Sequence, residues 1–155
     1  MPVDLSSPAI QERLKALYEA QFPRLATSSS YKVTSLATQT YNCISWAATG
    51  KPKAWWWPDK FWPRGSDRAL TIDGFLSAFA TVGYKTATDA TLDPKLDKIA
   101  LYCLDGVPKH AARQLSSGAW TSKLGQSQDI QHELSDLEEG PYGMVTHYLS
   151  RKRRP

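Results

Sequence analysis

In this 155-residue chain, Tyr41-Asn42-Cys43-Ile44-Ser45-Trp46-Ala47 carries the signal around which the other segments are arranged. Asn42 is a strong N-cap residue, because its side chain accepts a hydrogen bond from a free amide of the first helical turn. Gly50 stands where a left-handed residue would end the segment, and Pro52 forbids continuation. The spacing therefore predicts a short helix over residues 43–49, with the Cys43 thiol at its first position. Unsatisfied N–H groups and the helix dipole favour an anion there, which stabilises a thiolate. A free cysteine is otherwise a small buried hydrophobe, so a catalytic reading of Cys43 requires a base.

Working outward, Gln39 and Tyr41 lie just before the cysteine. They are either donors to an oxyanion or ordinary loop and core residues. Residues 24–40, rich in Ser, Thr and Ala, read as a surface loop. After the cysteine helix comes Ala54-Trp55-Trp56-Trp57-Pro58-Asp59, then Phe61-Trp62-Pro63. Four tryptophans in eight positions, punctuated by proline, do not form a regular helix. They read as an irregular plug over the core, with one ring such as Trp55 lining a cleft. The alternative is an aromatic wall that stacks on sugar or peptide.

Two further helices are legible. Ser7-Pro8 opens the first, in which Ile10, Leu14, Leu17 and Tyr18 recur at helical spacing and Pro23 closes the run. Thr71 caps the second, with Ile72, Phe75, Leu76 and Phe79 on one face and Gly83 beyond its end. Residues 84–86 read as a short strand and 87–97 as a loop. A β-rich half follows. Residues 98–103 form a buried strand, residues 104–108 a hairpin connection around Asp105-Gly106, residues 109–115 its partner, and residues 119–124 a third strand in meander order. Asp129 is expected to cap a short helix through Leu137, and residues 143–149 to form a last strand.

His110 then opens the second strand of the meander. A Cys–His pair is sufficient for nucleophilic catalysis, because the imidazole takes the thiol proton and later protonates the leaving group. A third polar group orients the histidine. Period-2 alternation puts Trp120, Ser122 and Leu124 on one face, which makes Ser122 the candidate orienter, with Asp129 or His132 as alternatives.

Composition bounds the rest. The hydrophobic share is 41% and the charged share 22%, as in an ordinary globular domain. No apolar run is long enough to span a bilayer, and no membrane partner is expected. No basic-then-apolar leader is visible, so the chain reads as cytoplasmic, with export by a signal-less route left open. Of the +4 net charge, Arg151, Lys152, Arg153 and Arg154 supply all. Residues 1–150 are thus read as one domain and 151–155 as a basic, solvated tail that does not mark a nucleic-acid partner. Cys43, Cys103, His110, His132 and His147 are scattered, with no C-x-x-C and no H-x-x-x-H, so no metal is expected. A phosphate loop, a dinucleotide fingerprint and a G-x-S-x-G elbow are all missing, so no cofactor and no serine nucleophile are expected.

A cysteine at a helix start, followed by an antiparallel meander with histidine on its second strand, resembles the papain-like thiol hydrolases. The nearest layout is that of the compact NlpC-type cell-wall peptidases and CHAP amidases. The blocks at residues 41–47, 55–59, 110–114 and 120–125 also resemble a bacterial family of small uncharacterised domains, over roughly residues 24–150. The first resemblance implies an α+β, papain-like fold in which a Cys-bearing helix packs on a small antiparallel sheet. It implies Cys43 as nucleophile, His110 as general base and acid, and amide cleavage through a thioester. The substrate would be a peptide, a peptidoglycan stem or a protein glutamine side chain. The chain departs from the group in offering Ser122 at the third position and Asn42-Cys43-Ile44 where NlpC-type enzymes have Asp-Cys-Ser. The alternative function is an inactive binding module that grips a sugar or protein with its Trp-rich segment.

Overall fold

The structure is a computed structural model that describes residues 7–28, 31–34, 47, 71–124 and 129–153. Its centre is one antiparallel sheet built from β1 (Lys32–Val33), β2 (Lys85–Ala87), β3 (Leu96–Leu104), β4 (Val107–Gln114), β5 (Trp120–Lys123), β6 (Asp129–His132) and β7 (Met144–Lys152). The spatial order is β1-β6-β5-β4-β3-β7-β2. Two α-helices have described ranges, α1 (Pro8–Glu19) and α2 (Ile72–Ala80), together with the 3-10 turns Leu25–Thr27 and Leu134–Leu137. The class is α+β.

β3 decides the layering. Ile99, Ala100, Leu101, Tyr102 and Cys103 are all buried, a run that alternation alone does not give and that requires cover on both faces. One face carries Ala100, Tyr102, Ala112, Trp120 and Ile130 against Tyr18 of α1, Phe22 and Leu25. The other carries Ile99, Leu101, Cys103, Ala111 and Leu149 against Phe75, Ala78 and Phe79 of α2. Ala47 is helical and fully buried in this second cluster.

The local signals for α2 act as expected. The Thr71 hydroxyl accepts from the Gly74 amide at 3.0 Å, satisfying one of the orphan donors of the first turn. Thr71→Ala is expected to cost about 1 kcal/mol, read as a lower urea midpoint, with Thr71→Ser restoring it. An unchanged midpoint in Thr71→Ala would mean that packing alone fixes the helix start. Asp105 and Gly106 both adopt positive φ, 52° and 78°, as a two-residue primed turn demands.

Several expectations are corrected. The segment from Asp129 is a strand, not a capped helix: β6 pairs with β5 and β1, because the β5 edge needs partners for its amides and carbonyls and Ile130 buries beside Val33. Only Leu134–Leu137 turns, as one 3-10 turn. The loop expected before Cys43 contains β1. His110 does not open its strand. The Asp105-Gly106 turn is so tight that β4 begins at Val107, and His110 is its fourth residue. The expected basic tail begins inside β7. Arg151 and Arg153 each place Nε 3.1 Å from an Asp97 carboxylate oxygen, and Arg151 also donates to the Val82 carbonyl at 2.9 Å and lies over the Tyr84 ring. Two of the four basic side chains are thereby engaged with β3 and the loop after α2 rather than solvated.

Among the described residues, no helix is long and apolar enough to cross a membrane.

Candidate functional site

His110, Ser122 and His132 come together on the α1 face. Antiparallel pairing puts Tyr102 opposite His110 and Trp120 opposite His132, and residues that alternate along β4, β5 and β6 project to the same side. The Ser122 hydroxyl sits between the two rings, 2.8 Å from His110 Nε2 and 2.7 Å from His132 Nε2. His132 Nδ1 lies 2.7 Å from the Glu133 carbonyl. Both histidines and Ser122 are buried, His110 and Ser122 fully.

Donor and acceptor roles order the protons along this chain. A carbonyl only accepts, so His132 donates from Nδ1 and its neutral ring keeps Nε2 bare. Ser122 donates to that Nε2 and accepts from His110 Nε2–H. His110 Nδ1 is left bare, and it has no hydrogen-bond partner among the described residues. Burial supports neutral rings. It holds the His110 ring well below its ordinary value, with the neighbouring His132 acting in the same direction. Burial pushes His132 down to about 4, opposed by the Glu133 carbonyl and the Asp136 charge.

The surroundings fix the rings. Tyr142 stacks on His110 at 4.2 Å between centroids with planes 1° apart, and Tyr102 approaches at 5.4 Å. The Tyr102 hydroxyl donates to the Leu134 carbonyl at 2.7 Å. Asp136 accepts from the Glu133 amide at 2.9 Å. These two bonds hold the 3-10 turn that presents the Glu133 carbonyl to His132.

The sequence-predicted residues separate into three groups. His110, Ser122 and His132 form one hydrogen-bonded chain, so two of the three candidates for the third position, Ser122 and His132, stand in series beside His110. Asp129, the remaining candidate, pairs with Lys123 at the far end of β6. Both alternate onto the other face and are buried, so the sheet stands between them and His110. Cys43, Gln39, Tyr41 and Trp55 lie outside the described residues. Ala47, four residues beyond Cys43, packs on the α2 face with Leu101, Cys103 and Ala111, whereas the His110 ring is on the α1 face.

Sequence reasoning missed Tyr142. A Gly-Pro-Tyr-Gly turn signals a reversal of the chain, and nothing in it marks the ring as a stacking partner. It also missed the contact of Cys103 with β7, where the Thr146 hydroxyl donates to Cys103 Sγ at 3.1 Å and lies 2.8 Å from His147 Nδ1. Among the described residues, no three His, Cys, Asp or Glu side chains are grouped to hold a metal ion. Two open grooves flank the loop at residues 88–95. One of about 560 Å³ lies beside Lys98 and Asp89, and one of about 430 Å³ beside Trp120, Gln114 and Glu133. Neither is lined by His110, Ser122 or His132.

The profile of a family described as a domain of unknown function (DUF7689) matches residues 32–150, from the start of β1 to within β7. The chain belongs to that family. No curated protein and no solved structure matches this DUF7689 chain. The histidine chain of the DUF7689 domain lies wholly inside the matched segment, and α1 lies before that segment.

Proposed function

We propose that this DUF7689 protein is a thiol hydrolase of papain-like type that cleaves or deamidates an amide. The observation that carries the reading is the state of His110: Nε2 is anchored on Ser122 while Nδ1 is bare and without a partner among the described residues. A base oriented at one nitrogen and unprotonated at the other is what an attacking thiol requires. In this mechanism Cys43 gives its proton to Nδ1, and the thiolate Sγ bonds to the amide carbonyl carbon. The ring returns that proton from Nδ1 to the departing nitrogen as the C–N bond breaks. Water, deprotonated by the same ring, then cleaves the thioester and restores the thiol. Gln39 or Tyr41 donates to the oxyanion, and Trp55 lines the substrate cleft. Peptides, peptidoglycan stems and protein glutamine side chains all offer such an amide.

Ala47, four residues beyond Cys43, packs on the opposite face, so the mechanism stands or falls on whether Cys43 and His110 meet. Alkylation kinetics test that requirement. Expected is a Cys43 that reacts well below the free-thiol pKa of about 8.5, with the shift shrinking in His110→Ala and in the less disruptive His110→Gln. A Cys43 that behaves as an ordinary thiol in all three proteins would overturn the mechanism. The second reading would then stand, a non-catalytic module whose Trp-rich segment binds a sugar or protein. The observation on the side of a non-catalytic role is that the His110 ring is fully enclosed and the sheet separates it from Ala47.

A further inference from the structure

The histidine chain contains more than a base and its orienter. An orienting group needs only to accept from Nε2–H, and a serine facing a carbonyl or a water would do so. Here Ser122 is itself backed by a second imidazole whose bare nitrogen points at the hydroxyl. That ring is held at its far nitrogen by a carbonyl that can only accept. Every bond therefore runs in one direction, from His110 through Ser122 to His132.

We infer that Ser122 and His132 form a proton relay behind His110, so that a proton taken up at His110 Nδ1 emerges as a positive charge on His132. The protons balance. One bonds to His110 Nδ1. The proton on His110 Nε2 passes to Ser122 Oγ, and the Ser122 hydroxyl proton passes to His132 Nε2. His110 is left neutral in its other tautomer, Ser122 is regenerated, and His132 becomes an imidazolium that still donates from Nδ1 to the Glu133 carbonyl.

The surroundings favour the charge at the far end. Around His110 stand Tyr102 of β3, Ser122 of β5, His132 of β6 and the stacked Tyr142, none of them an anion. Around His132 stand the Glu133 carbonyl and, one turn on, the Asp136 carboxylate, both of which act to stabilise an imidazolium. His132 is thus a positioning and charge-accepting residue that never touches substrate. Its use in catalysis rests on the hydrolase reading, whereas the relay itself does not.

The test is histidine-selective 15N NMR on the full chain, which distinguishes the two neutral tautomers from the imidazolium. At pH 7 the expected spectrum has His110 protonated at Nε2 and His132 at Nδ1. As the pH falls towards 4 with the fold intact, His132 gains the imidazolium signature while His110 moves to its Nδ1–H tautomer in the same transition. His132→Gln keeps an acceptor for the Ser122 hydroxyl and cannot take the proton. In that variant His110 keeps its pH 7 tautomer and loses the coupled acid transition. A His110 found protonated at Nδ1 in the wild type at pH 7 would overturn the relay without any variant. So would His110 becoming the imidazolium, or an unaltered His110 transition in His132→Gln. The spectra need no substrate, so failure of the relay and failure of Cys43 as nucleophile are read separately.

Discussion

Lowering the pH from 7 to 4 is expected to remove about 3 kcal/mol of stability through His132 alone, from the 1.36 kcal/mol that each unit of pKa shift carries. In the unfolded chain the ring titrates near 6.5, and in the folded protein burial pushes it down to about 4. Between those values the unfolded state binds more protons, so stability falls as the pH falls. The stabilisation is complete above about pH 6.5 and is lost as the pH drops through 4. His110 is shifted in the same direction by the same cause and adds to the loss. Against a typical total of about 5–15 kcal/mol, this is a large share of the stability. Urea midpoints at pH 7, 6, 5 and 4 measure it. The wild-type midpoint should fall steadily across that window, and the fall should shrink in His132→Gln. A midpoint that stays level between pH 6.5 and 4.5 would mean that the rings are hydrated in solution and that the buried chain does not hold.

Gly143→Ala is expected to be the most damaging single-methyl change, at about 3 kcal/mol or more. Gly143 has φ +78°, and a Cβ there would run into the Cys103 carbonyl oxygen, 2.7 Å from its carbon and 2.9 Å from Leu104 Cα. All of these are backbone atoms at the end of β3, so no side chain can swing aside. Gly143 also closes a bridge with Gly140, and between them lies Tyr142, whose ring caps His110. Gly106 provides the control, since it has the same φ of +78° with nothing within 4 Å of its added Cβ. Gly106→Ala should cost only the left-handed conformation, about 1–2 kcal/mol. Equal urea midpoints for the two variants would show that close approach at Gly143 is relieved cheaply and that conformation alone matters.

These two effects arise in parts of the protein that were unequally legible. The link between His110 and Ser122 follows from the sequence, because a tight Asp-Gly hairpin and a short turn fix the meander, and period-2 alternation then puts both on one face. In the sequence His132 stands only as a substitute for Ser122, because the spacing predicts a helix from Asp129. Asp129 and the leucines 134 and 137 do carry a helical signal, but the exposed β5 edge offers ladder hydrogen bonds that so short a helix cannot match. Once the segment pairs as β6, His132 falls on the face of Ser122 as a matter of register. The pairing of Arg151 and Arg153 is hidden in the sequence for a similar reason. Their charge is plain, whereas their partner Asp97 stands 54 and 56 residues away.

By itself, the sequence determined the local conformations. Thr71 with Ile72, Phe75, Leu76 and Phe79 gives α2, Asp105-Gly106 gives the hairpin, and the apolar run at residues 98–103 gives a buried strand. These depend on backbone preferences and side-chain period, which act within a few residues. Tertiary structure alone decided that β7 lies between β3 and β2, that Tyr142 stacks on His110, that the α1 face holds the histidine chain, and that Ala47 packs on the other. Those outcomes are set by which edges and apolar faces find each other across the whole chain, a competition among long-range burials that no local window contains.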